Sequence, residues 1–71
     1  MEIERNTKLA DILTAYPSLR EKLPTINSRF RMVNLPIAKE ILKTATIANM
    51  SQRSGMEETV LINKIRELIM L

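Results

Sequence analysis

Apolar side chains recur along most of this chain at helical spacing. Leu9, Ile12, Leu13 and Tyr16 fall at i, i+3, i+4 and i+7, which places all four on one face of a helix. Thr7 stands where an N-cap belongs, and Pro17 ends the run because the residue before a proline is pushed out of the α region. Pro17 also suits the first position of a next helix, over Ser18–Leu23, with Leu19 and Leu23 on one face and Pro24 closing it. A third stripe, Ile37, Ala38, Ile41, Leu42 and Ala45, follows Pro36. Thr46 is a second N-cap, opening a short helix through Ile47, Ala48 and Met50 that stops at Gly55, the residue free to turn left-handed. Beyond Glu57, Leu61, Ile65 and Leu68 form one stripe and Ile62 and Ile69 another. The spacing thus predicts helices over Lys8–Tyr16, Ser18–Leu23, Pro36–Lys43, Ile47–Ser54 and Glu57–Met70. That is an all-α fold, a compact orthogonal bundle of about five short helices forming a single domain over residues 1–71. No run alternates with period two, so strands have no support.

One stretch resists this reading. Thr25 to Asn34 shows neither period, yet it holds the only Phe, and Asn27 and Asn34 flank a short basic run containing Arg29 and Arg31. An irregular loop has no ladder to hold it, so side-chain anchoring must do so. Phe30 is therefore expected in the core, with Ile26 and either Met32 or Val33 turned inward. Tyr16 and Pro36 are the other expected anchors.

Composition narrows the chemistry. Seventy-one residues bury only about 60% of the surface the unfolded chain exposes, and with no Cys no disulfide can supplement that. The absence of Cys and His removes thiolate nucleophiles, the usual general base and the commonest metal ligands. Glu57 and Glu58 are adjacent, point about 100° apart on a helix, and do not face each other as an acid–base pair. They suit the positive end of a helix dipole instead. We expect no enzyme, no catalytic residue, no cofactor and no metal. Neither a leader pattern nor an apolar run of roughly 18 residues is present, so a soluble cytoplasmic protein without a membrane segment is expected.

The net charge of +3 is modest. Arg20, Lys22, Arg29, Arg31 and Arg53 could form a basic patch, but aromatics for stacking are nearly absent and Glu21 and Glu40 interrupt it. A solvated rim is the favoured account. The alternative is a small nucleic-acid-binding domain using Arg29, Arg31 and Arg53. A helix-turn-helix over Ile37–Lys43 and Ile47–Ser54, offering Asn49, Gln52 and Arg53 to bases, is a weak signal that many small helical domains share. The leading expectation is a non-catalytic interaction or regulatory module with an unidentified protein partner, itself a homodimer. Val60, Leu61, Ile62, Ile65, Leu68, Ile69, Met70 and Leu71 point several ways around the last helix, more than one neighbour covers. Val60, Ile62, Ile65 and Ile69 are the expected interface. A third class is a small-molecule sensor with a pocket between Tyr16, Phe30 and Met32.

Thr7-x-Leu9-x-x-Ile12-Leu13, then Tyr16-Pro17, a loop ending in Pro36, Thr46-Ile47 and Gly55-Met56 ahead of a last helix make a recognisable order. It resembles the small bacterial domains of unknown function called hybrid-cluster-protein-associated, or redox-disulfide, domains. These in turn look similar to the N-terminal domain of ScdA-type iron–sulfur repair proteins. The resemblance runs from Ile3 to Ile69. Many members carry Cys-x-x-Cys-Pro where this chain has Met32-Val-Asn-Leu35-Pro36. It therefore implies the helical fold but no thiol, metal or cluster role here.

Overall fold

The computed structural model describes residues 1–70; Leu71, the last of the apolar residues expected to crowd the final helix, lies outside them. Five α-helices follow in order: α1 (Leu9–Ala15), α2 (Leu19–Ile26), α3 (Ala38–Leu42), α4 (Ile47–Ser54) and α5 (Glu58–Met70). A 3-10 helix, Ser28–Asn34, joins α2 to the turn before α3. No strand occurs among the described residues. The fold is the expected all-α bundle. None of its described helices is long and apolar enough to cross a membrane.

Two helix starts complete each other. Lys8 and Thr46 form an isolated antiparallel bridge; the Leu9 N–H donates to the Ala45 carbonyl at 2.9 Å, and the Ile47 N–H to the Thr7 carbonyl at 3.1 Å. Each bond uses a donor that a helix N-terminus leaves without an intrahelical partner. Thr7 is therefore not the N-cap of α1. Its hydroxyl accepts from the Glu4 N–H at 2.8 Å, and Lys8 occupies the cap position without a side-chain bond. Thr46 does cap α4, in a reciprocal box. Its hydroxyl accepts from the Asn49 N–H at 3.3 Å while its own N–H donates to Asn49 Oδ1 at 3.0 Å. Gly55 ends α4 at φ 76°, the left-handed region that favours glycine. Thr46→Ala is expected to lower stability by about 1 kcal/mol, read as an earlier urea midpoint with unchanged slope.

Pro24 does not close α2. It sits inside the helix, which runs on to Ile26. A proline there has no N–H for the carbonyl four residues back, here that of Arg20. Asn34 supplies the missing donor: its Nδ2 donates to the Arg20 carbonyl at 3.0 Å. Arg20 returns the contact through Nη1 to the Val33 carbonyl at 3.0 Å. The far end of the same segment is fastened to α4. Asn27 Oδ1 accepts from the Arg29 N–H at 2.9 Å, and Arg29 Nη1 donates to the Arg53 carbonyl at 3.0 Å. The stretch expected to be irregular is thus a helix of three residues per turn, strapped at both ends by side chains.

Phe30 and Val33, three apart, eclipse on this helix and both are buried, so of the two inward candidates Val33 is the one, with Met32 left exposed. Pro36 is not an anchor. It is exposed in the turn before α3, and Ile37, expected on the buried face, is 74% exposed because the helix begins only after it. Tyr16 and Ile26 are partly buried against the core. Ile3 secures the N-terminus, where Arg5 also grips Glu58 through two bonds of 2.9 and 3.2 Å. That exposed pair holds the Glu58 carboxyl below the usual carboxylate range, through Arg5's hydrogen bond and charge.

The wide apolar arc of α5 has an internal explanation: the helix packs against both α2 and α4. Leu61 and Ile65 are fully buried, and Ile62, Leu68 and Ile69 pack partly buried against the core. Ile65 is accordingly a core residue, not an interface one. Val60 lies about 200° around the axis from Ile62, so the four expected interface residues do not share a face.

Candidate functional site

The 3-10 helix, α3 and α4 leave a groove of about 480 Å³ between them, with Leu9 of α1 also in its lining. Each wall follows from a local period. Phe30 and Val33 stack as one row of the 3-10 helix, and Arg29 and Met32 form the next row. Ala38, Ile41 and Leu42 lie at i, i+3 and i+4 on α3, with Ala45 just beyond. Asn49 and Arg53, and Met50 and Ser54, repeat at i and i+4 along one face of α4.

The floor is apolar and the rim is cationic. Phe30, Val33, Ala38, Leu42 and Met50 are buried; Met32 and Ile41 stand partly open at the edges. The charged lining residues are Arg29, Arg31 and Arg53. All three are exposed, and among the described residues none has an ion-pair partner, since the ion pairs are Arg5–Glu58 and Lys43–Glu40. Arg29 is committed to the Arg53 carbonyl. The guanidiniums of Arg31 and Arg53 donate to nothing among the described residues. A second, more polar cleft continues from Ile41, Ala45, Asn49 and Arg53 towards Glu40 and Thr44.

No protein-family model, curated protein or solved structure matches the chain.

The structure thus brings together Phe30, Met32, Arg29, Arg31 and Arg53, which the sequence had distributed between a pocket and a basic patch. Tyr16 does not join them; it packs elsewhere on the core and lines no part of the groove. Of the trio expected on a reading helix, Asn49 and Arg53 reach the groove and Gln52 does not. Asn49 is also spent on capping, and α3 has only five residues. The α3 wall was missed as a functional element, although Ala38, Ile41, Leu42 and Ala45 had been assigned to a buried face. The period-three series Asn27, Phe30, Val33 and Pro36 was the signal for the 3-10 row. Among the described residues, no three carboxylates gather where a metal could bind.

Proposed function

We propose that this protein is a non-catalytic interaction or regulatory module whose working surface is the groove between the 3-10 helix, α3 and α4. The observation that carries this reading is an apolar floor bordered on two of its three walls by arginines that lack acidic partners among the described residues. Arginine stays protonated in proteins, so the charged groups around the groove bind anions but serve neither as base nor as nucleophile. A pocket of about 300–1,000 Å³ with an apolar lining and few polar groups is the common form of a ligand site, and the groove falls in that range.

A nucleic-acid reading draws on the same arginines. It has less support, because the aromatic of this region, Phe30, is only 6% exposed and offers no face to a base. Self-association through α5 draws on Val60 and Met70, exposed at 44% and 86%, and on Ile62, Leu68 and Ile69, which the core covers only in part.

Nile red, a neutral apolar dye, is expected to brighten on binding the folded protein. Ile41→Glu, at a partly exposed wall position, is expected to remove most of that gain while leaving the helical circular dichroism unchanged. A dye signal absent from the parent protein, or equal in the variant, overturns the groove as the working surface.

A further inference from the structure

We propose that the groove accepts a free single-chain carboxylic acid of the fatty-acid class, its chain on the Phe30–Leu42–Met50 floor and its carboxylate held by Arg31 and Arg53. The inference rests on the groove being the working surface and adds the chemistry of its occupant. The lining has charge of one sign only. Two of the arginines in this region, Arg20 and Arg29, direct their guanidiniums at main-chain carbonyls, at 3.0 Å in both cases. They hold the 3-10 helix in place. Arg31 and Arg53 stand on different walls, one on the 3-10 helix and one on α4, with no such duty among the described residues. The neighbouring carboxylate, Glu40, is not among the groove's lining residues and pairs with Lys43 at 3.2 Å.

A guanidinium presents a planar fork of donors that matches the two oxygens of a carboxylate. The floor below offers carbon and sulfur, with Met32 and Met50 able to adapt to a flexible chain. A cavity of about 480 Å³ suits one small molecule. A second copy of this chain is a poor occupant. A two-fold contact through this face would set three arginines against the same three.

Dodecanoate, kept below its micelle concentration, provides the probe, titrated by calorimetry and by amide chemical shifts. Saturable one-to-one binding is expected, with shifts at Phe30, Ile41 and Met50. Dodecanol, equal in chain and neutral in head, should bind at least about tenfold more weakly. An Arg31→Gln/Arg53→Gln protein should lose at least about tenfold in dodecanoate affinity yet bind Nile red as the parent does. Both residues are exposed, so the fold should tolerate the change. Lys64→Gln on α5, outside the groove, should bind dodecanoate unchanged.

Equal affinity for acid and alcohol overturns the proposal, as does a double variant that binds dodecanoate like the parent. Binding of phosphatidylglycerol vesicles, of a single-stranded oligonucleotide or of an acidic amphipathic peptide without binding of dodecanoate overturns it too. If Nile red still marks the groove in those cases, the ligand class is wrong and the working surface stands. If Nile red also fails, both are wrong.

Discussion

Phe30→Ala is expected to destabilise the protein by about 3–5 kcal/mol, the cost of emptying a well-packed aromatic site. Total stability for a domain is roughly 5–15 kcal/mol, and a chain of this length sits towards the low end. The melting midpoint should fall by more than about 12 °C. The size of the effect follows from position. Phe30 is 6% exposed, lies in the core cluster with Leu9, Leu42 and Met50, and forms the floor of the groove. Its neighbours in sequence are held by polar straps from Asn27, Arg29 and Asn34, each an exposed or half-exposed bond worth about 1 kcal/mol. Those straps orient the segment; the ring supplies most of its adhesion. A variant melting within a few degrees of the parent would put the adhesion elsewhere.

Ile65→Glu should leave the chain largely unfolded at 25 °C, whereas Val60→Glu should fold and melt close to the parent. Ile65 is fully buried, and no cation among the core residues could pair with a carboxylate placed there. Burying an unpaired charge costs several kcal/mol, comparable to the whole stability of a small domain. Val60 is 44% exposed and meets water on the far side of α5. Circular dichroism of the two proteins decides the matter. A folded Ile65→Glu variant would mean that the apolar arc of α5 is not internal.

Much of the helical frame was legible because its signals are local. Thr46 and Gly55 bracket α4 at its observed bounds, and the stripes of α1 and α5 locate those helices to within a residue or so. The failures share a physical cause. α2 passes through Pro24 with Asn34 donating to the orphaned Arg20 carbonyl and Leu19 and Leu23 buried, and that donor lies outside the helix, beyond the reach of any local period. Thr7 is displaced as a cap because the Ala45 carbonyl, from the middle of the chain, takes the Leu9 donor first. In the groove, Phe30, Met32 and the arginines carry their chemistry in their side chains and were readable as candidates. Their meeting with Ile41 and Met50 across α3 and α4 depends on tertiary packing, which no local period encodes. Ile65 was placed at an interface because the sequence does not say that two helices, α2 and α4, flank α5.

The shared start of α1 and α4 makes one helix dependent on the other. α4 has a side-chain cap of its own in Thr46, but α1 has none, and its leading donor waits for the Ala45 carbonyl. Joining the beginning of the chain to its middle requires a long loop to close, with the entropy loss that closure brings. Isolated helices as short as α1 are marginal in water. A peptide covering α1 and α2 alone is therefore expected to show little of the α1 helix in circular dichroism, because the carbonyl that receives its leading donor lies at Ala45.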